Sequence, residues 1–316
     1  MDGGNNINAV LVGCNYHGTD SELFGCIYDV VSMKKVLISR FGFKEDNIEL
    51  LTDEPNSPIK PTGANIKSAL KRMVEHAQEG DLLFFHFSGH GTLISSSSKP
   101  HEHDKKHEAI VPCDFNLITD VDFRKLVNEI HPKSTFTMLS DSCHSGGLID
   151  QEKEQIGPST FPPPQTKTDS CIPKFIPLES ILDKFKNLTG LDTPNIGDHM
   201  VQHFKDDASL SFRLTQADQD NILAMRAKKG DYGILLSGCQ SDEYSQEDES
   251  SKPPHGVFSY AVMTVLDNIG RQVSNKEVVM RTRELLHEQG QNSQHPCLYC
   301  SDENADATFL LQPSTD

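Results

Sequence analysis

The sequence contains no tryptophan and no long apolar run. Its longest runs, such as Ile7 to Gly13 and Leu82 to Phe87, fall far short of the ~20 residues a membrane-spanning helix needs. No charged, then apolar, then small-residue pattern opens the chain, so a cleaved secretory signal is not expected. A cytoplasmic location follows as the expectation, with extracellular or nuclear presence left open. Eight cysteines in 316 residues are too sparse for a disulfide scaffold, and reduced thiols are expected. Positive charge is in deficit: 29 Lys and Arg against 46 Asp and Glu give a formal net charge of −17. Broad binding to a polyanion such as nucleic acid is excluded, because it needs clustered basic residues. Cationic partners are favoured instead. The loop Gly13-Cys14-Asn15-Tyr16-His17-Gly18 lacks the Gly-x-Gly-x-x-Gly fingerprint, and no Walker lysine motif occurs, so a nucleotide site is a poor reading.

The length suits about two domains or one large α/β domain, and a chain of this size buries roughly three-quarters of its unfolded surface. Apolar strand-like runs alternate with helix-like stretches through the first half, the pattern of a mostly parallel sheet flanked by helices. Strands are predicted at Ala9–Cys14, Ile48–Leu51, Leu82–Phe87, Thr135–Leu139 and Tyr232–Ser237. Helices are predicted over Leu23–Phe41, from Thr62 to Gly80, and over Asp120–Ile130, Val257–Asn268 and Asn275–Glu288. Six prolines between Pro158 and Pro177 mark an exposed linker, since proline interrupts both helix and central strand. Residues 178–228 read as helical but weakly patterned, and the acidic stretch Ser241–His255 as a solvated loop.

Two strands end in unusual loops, Ser88-Gly89-His90-Gly91 and Ser140-Asp141-Ser142-Cys143-His144-Ser145-Gly146-Gly147. In open parallel sheets functional residues gather beyond the carboxyl ends of the strands. Adjacent strands there would bring the His90 imidazole to the Cys143 thiol, with Cys143 as nucleophile and His90 as base and then acid. The neighbouring glycines let main chain approach a substrate closely. Main-chain N–H groups of Gly91 and Cys143 are then candidates to face a developing oxyanion. His144 is the rival base, ranked lower because sequence neighbours usually point apart.

These two loops resemble the paired catalytic motifs of metacaspases, while the Gln-Ala-Cys-Arg-Gly type signature of caspases proper is missing. The likeness extends through Gly25–Val30, Pro61–Ile66, Cys113–Asp120, Gly238–Asp242 and Cys300–Ala307. A large region, a linker and a small region in one chain are similar to the type II plant group. The resemblance implies a caspase-like α/β fold, with residues 1–157 a large-subunit-like region, 158–177 a linker with a processing site, and 178–316 a small-subunit-like region. It implies a cysteine endopeptidase that cuts protein and peptide substrates after Arg or Lys, here taken as a monomer. It places Cys26, Asp29, Ser88 and Asp141 in the pocket for that basic residue. Two carboxylates in one cleft, Asp29 and Asp141, suit a guanidinium or ammonium. A protease with such a pocket can cut its own linker after Lys167 or Lys174, with Lys174 preferred because Lys174-Phe175-Ile176-Pro177 resembles the relatives' processing region.

Many metacaspases need calcium, a hard cation that takes clustered oxygen ligands. The loop Ser95 to Glu108 mixes Lys and His with only three acids, and Asp120-Val121-Asp122 has an aliphatic residue between its carboxylates. Activity is therefore expected without calcium or any other cofactor, with Asp114, Asp120 and Asp122 structural. His101, His103 and His107 titrate in the mildly acidic range if unperturbed, and their protonation is expected to favour activity there. Zinc at His101-Glu102-His103 or His295-Pro296-Cys297-Leu298-Tyr299-Cys300 is rejected for want of four spaced ligands. The alternative to an enzyme is a catalytically silent adaptor on the same fold, which would have no need of His90, Cys143, Asp29 and Asp141.

Overall fold

The computed structural model describes residues 6–95, 106–149, 153–157, 171–226, 233–240, 243–269 and 272–310. His101, His103 and Lys167, singled out above, lie outside the described residues. One sheet of seven strands organises the rest. Its strands are β1 (Ile7–Gly13), β2 (Ile48–Thr52), β3 (Leu82–Ser88), β4 (Thr135–Asp141), β5 (Glu154–Ile156), β6 (Gly233–Ser237) and β7 (Cys297–Tyr299), in the spatial order β2-β1-β3-β4-β6-β7-β5. The first five in that order run parallel, and β7 and β5 close one edge antiparallel. The sheet therefore draws strands from both sides of the Pro-rich segment.

Both faces of the parallel strands are covered, which is why they read as continuous apolar runs rather than alternating ones. Phe85 and Phe87 pack with Ile66, Leu70 and Phe123 on one face, against helices α2 (Gly63–Glu75) and α3 (Asp120–Glu129). Leu11, Phe84 and Leu139 pack with Val30, Leu37, Phe258, Val262 and Val278 on the other, against α1 (Cys26–Phe41), α4 (Val257–Asn268) and α5 (Asn275–Glu288). Local signals set the ends: the Thr62 hydroxyl caps α2 by accepting the Asn65 N–H at 3.2 Å, and α1 stops at Gly42 in the left-handed region with φ of 71°.

Four sequence expectations are corrected. The first helix starts at Cys26, not Leu23, because the main chain of Phe24 and Gly25 is engaged by Glu247 instead. The solvated loop expected over Ser241–His255 is interrupted within its described part: Gln246–Asp248 forms a strand, and Ser245 and Glu247 are wholly buried. The Pro-rich linker is not exposed to its end: Cys171–Pro173 pairs antiparallel with Gln246–Asp248, which pairs in turn with His255–Gly256, and Lys174 is wholly buried. His107 lies in the strand Lys106–Ile110, not in a loop, and its Nδ1 meets Asp120 Oδ1 at 2.8 Å. The first three depend on partners far away in the chain, the fourth on Asp120, thirteen residues on.

Candidate active site

The parallel strands finish in register: Ser88 at the end of β3 lies opposite Gly13 on one side and Asp141 on the other. The chain turns sharply beyond each end, so the two loops meet at the carboxyl edge of the sheet. They meet main chain to main chain. A Cβ at position 91 would overlap the Cys143 carbonyl oxygen, so only glycine permits this approach.

His90 is almost wholly buried. Its main-chain N–H donates to the Tyr16 hydroxyl at 2.8 Å, and that hydroxyl donates to the Val111 carbonyl at 2.6 Å. The ring Nε2 sits 2.8 Å from the Ser21 carbonyl oxygen, an acceptor only, which assigns the proton to Nε2 and leaves Nδ1 as the basic atom. Nδ1 is buried with no hydrogen-bond partner among the described residues. Burial holds the imidazole down at about 4, opposed by the carbonyls of Ser21 and Lys174, so it is neutral at ordinary pH. Burial likewise pushes the Cys143 thiol above its usual range, opposed by the main chain of Ser245 and Lys174, and its Sγ donates to the Ser245 carbonyl at 3.4 Å.

Lys174 joins these groups. Its carbonyl oxygen accepts the N–H of Gly91 at 3.0 Å and that of Cys143 at 3.2 Å, while its own N–H donates to the Ser245 carbonyl at 2.8 Å. Downstream, the Ile176 N–H donates to the Gly91 carbonyl at 3.1 Å. Phe175 packs against the rings of both His144 and Tyr244, at centroid separations of 5.2 and 5.4 Å, and those two rings also touch at 5.9 Å. His144 thus faces the residue after Lys174. A peptide with its carbonyl between two N–H donors, beside a thiol and an imidazole, has the arrangement of a substrate before acyl transfer.

The Lys174 side chain runs into a closed polar pocket. Nζ lies 3.1 Å from Asp141 Oδ2, 3.4 Å from Asp29 Oδ2 and 2.9 Å from Ser88 Oγ, and Lys174, Asp29, Asp141 and Ser88 are all wholly buried. Each carboxylate is held from behind. Asp29 accepts the Ser88 hydroxyl at 2.7 Å and the Gly256 N–H at 3.0 and 3.1 Å. Asp141 accepts the Ser245 hydroxyl at 2.5 Å and the Ser259 N–H at 2.9 Å. Burial drives Asp29 up to about 6 against the pull of the ammonium. For Asp141 burial is outweighed by Lys174 and its hydrogen bonds, which hold it below the ordinary carboxylate range. A Cβ at Gly256 would overlap Asp141 Oδ2, Lys174 Nζ and Asp29 Oδ2, so a glycine edge leaves the room the cation occupies. Cys26, the first residue of α1, is buried beside these groups, with Lys174 and Asp29 both acting on its thiol.

The structure brings His90, Cys143, Gly91, Cys26, Asp29, Ser88, Asp141 and Lys174 to one place. It adds Tyr16, Ser245, Glu247, Gly256 and Ser259, none of which the sequence singled out. The polar run around Ser245 and Glu247 resembles a surface loop, and only the pairing of Gln246–Asp248 with Cys171–Pro173 buries it. The carboxylates at 114, 120 and 122 are otherwise engaged. Asp114 accepts the Gly63 N–H at 3.0 Å, Asp120 meets His107, and Asp122 forms a capping box with Thr119 and accepts the Leu210 N–H at 3.0 Å. Among the described residues no three His, Cys, Asp or Glu side chains converge as a metal site requires.

Comparison with known proteins gives a consistent picture. Residues 8–152 match the family described as Metacaspase, peptidase C14 domain. Metacaspase-9 of Arabidopsis thaliana is 54% identical, with 96% of this chain and 97% of that protein aligned. Metacaspase-6 of the same plant is 36% identical over 96% and 99% of the two chains. Among solved structures, protein GSU0716 from Geobacter sulfurreducens superposes with a TM-score of 0.58 at 18% identity, covering 96% of this chain and 97% of that one. That likeness is one of fold.

Proposed function

Since this chain belongs to the metacaspase family of caspase-like cysteine peptidases, we propose that it is an endopeptidase that cleaves after Arg or Lys and processes itself after Lys174. Lys174 carries this reading. Its side chain fills the carboxylate pocket while its carbonyl oxygen accepts the N–H groups of Gly91 and Cys143. The chain thereby presents its own Lys174–Phe175 bond in the manner of a bound substrate.

In the reaction Cys143 Sγ attacks the carbonyl carbon of the basic residue, and the thiol proton passes to His90 Nδ1. A thiol held protonated by burial needs such a base at the moment of attack. The N–H groups of Gly91 and Cys143 take up the charge on the oxygen. His90 then returns the proton to the leaving amine, the Phe175 nitrogen in self-processing. Water, deprotonated by His90, hydrolyses the thioester and frees the new carboxylate. An Arg guanidinium reaches the same two carboxylates with more donors than an ammonium.

The same reading makes 1–157 and 178–316 the two regions of one catalytic unit, acting as a monomer. Activity needs no calcium, because Asp114, Asp120 and Asp122 are committed to main-chain and side-chain partners. Activity extends to mildly acidic pH, because burial holds the His90 imidazole at about 4, so it is still a neutral base for the Cys143 thiol there. Fluorogenic peptides with Arg, Lys or Asp before the scissile bond, from about pH 5 to about pH 8 with and without chelator, test it. Cleavage of Arg and Lys peptides alone, lost in Cys143→Ala, is the expected result. Cleavage after Asp, or none, overturns it.

A further inference from the structure

Glu247 is a wholly buried carboxylate that the chemistry above does not use. It lies mid-strand in Gln246–Asp248, opposite Ile172 on one side and Gly256 on the other. Its side chain leaves that strand and reaches the start of α1, where Oε1 accepts the Phe24 N–H at 2.7 Å and Oε2 the Gly25 N–H at 2.8 Å. The Cys26 Sγ lies 3.7 Å from Oε2. Gly25, the residue before α1, has no side chain to cap the helix. A carboxylate from a distant strand therefore binds N–H groups just ahead of α1, where the helix dipole also favours negative charge.

We infer that Glu247 is a positioning residue that ties the start of α1 to the strand receiving the main chain ahead of the scissile bond, and so sets the grip of the carboxylate pocket on the basic side chain. Cys26 and Asp29 both ride on the first turn of α1. Gly256, whose N–H binds Asp29, pairs with Glu247 itself. Gly25 sits so close to His255 that a Cβ there would overlap its main chain. The entry to α1, the pocket edge and the strand opposite Ile172 thus form one clamp with the Glu247 carboxylate at its centre. The Gly91 and Cys143 N–H groups belong to other elements, while the His90 ring touches the entry segment only through the Ser21 carbonyl, three residues before Phe24. The inference rests on the peptidase reading and adds a residue that sets specificity without touching the reacting atoms.

Glu247→Gln keeps the volume but offers one acceptor oxygen where two N–H donors converge, so one donor faces an amide N–H. The test compares full-length wild type, Glu247→Gln and Glu247→Asp on peptides with Arg or Lys before the scissile bond, with thermal melting and the rate of Cys143 alkylation by iodoacetamide. Glu247→Gln should raise KM about tenfold and shift the Arg-to-Lys preference about threefold, with kcat and alkylation within about a factor of two. Glu247→Asp, which keeps both acceptors, should recover part of the KM. An unchanged KM and preference, an equal fall in alkylation and kcat, or loss of a cooperative melt in both variants overturns the inference. A wild type that cleaves neither peptide although its Cys143 is alkylated removes the peptidase reading, and this inference with it.

Discussion

The carbonyl oxygen of Lys174 lies 3.2 Å from the main-chain nitrogen of Cys143, a residue it reaches only because Cys171–Pro173 pairs with the strand Gln246–Asp248. The intact chain holds a lysyl peptide against the group proposed to attack it, and several consequences can be measured.

Self-processing should depend on both partners in that contact. Wild type should yield a fragment beginning at Phe175, seen by terminal sequencing, and Cys143→Ala should stay intact. Lys174→Arg should still be cut. Lys174→Gln, which leaves Asp29 and Asp141 without a cation, should be cut at least ~100-fold more slowly, in line with the cost of unpairing a buried charge. Equal cutting of the Gln variant would show that the pocket does not choose the site.

The pocket itself should fail when one carboxylate is removed. Asp29→Ala or Asp141→Ala should lower kcat/KM on Arg and Lys peptides by roughly 100-fold or more, since breaking a buried ion pair costs about 3–5 kcal/mol. Gly256→Ala should do the same by filling the space with a methyl group. Far-ultraviolet circular dichroism should show the fold retained. Full activity in both Asp variants would remove these residues from substrate binding.

Acid should weaken the closed chain. His90 and His86 are held by burial at about 4 and about 3, below the ~6.5 of a free imidazole. The unfolded chain therefore binds more protons at low pH, so stability is whole above ~6.5 and falls as pH drops toward about 4. Urea unfolding of Cys143→Ala should show a loss of a few kcal/mol across that window. A flat profile would mean that the two imidazoles do not outweigh Asp29, whose carboxyl, raised to about 6 by burial, takes up its proton first in the folded chain and so opposes them.

Chelation should leave the rate unchanged. With Asp114, Asp120 and Asp122 bound to Gly63, His107 and Leu210, peptide cleavage in excess chelator should match that in added calcium to within about twofold. A collapse of the rate on chelation, restored by calcium, would contradict this.

What the sequence disclosed follows from how local each feature is. The strands β1, β3 and β4 and the loops carrying His90 and Cys143 stand out because each is a contiguous run of apolar residues ending in Ser and Gly. Asp141 closes its strand but Asp29 rides on the first turn of α1, and it is the resemblance to metacaspases that places the two in one pocket. Lys174 was legible as a basic residue in a processing segment but not as a buried one, since its burial depends on Ser245, Asp141 and Asp29, all distant in the chain. Glu247 and Ser245 were hidden for the same reason. In isolation they belong to a polar stretch, and only an antiparallel pairing across more than seventy residues turns that stretch into a wall of the site. Tyr16, which steadies His90 through its hydroxyl, lies in a loop after β1 that showed no pattern of its own.

The sheet order has a bearing on what a cut at Lys174 would leave behind. Strand β6 lies between β4 and β7, and β5 is bonded along β7, so the two fragments would be interleaved like fingers of clasped hands. A nick there alters covalent connectivity while each half still shields the other's apolar surface. The halves should co-elute as one particle on a sizing column and come apart only in detergent.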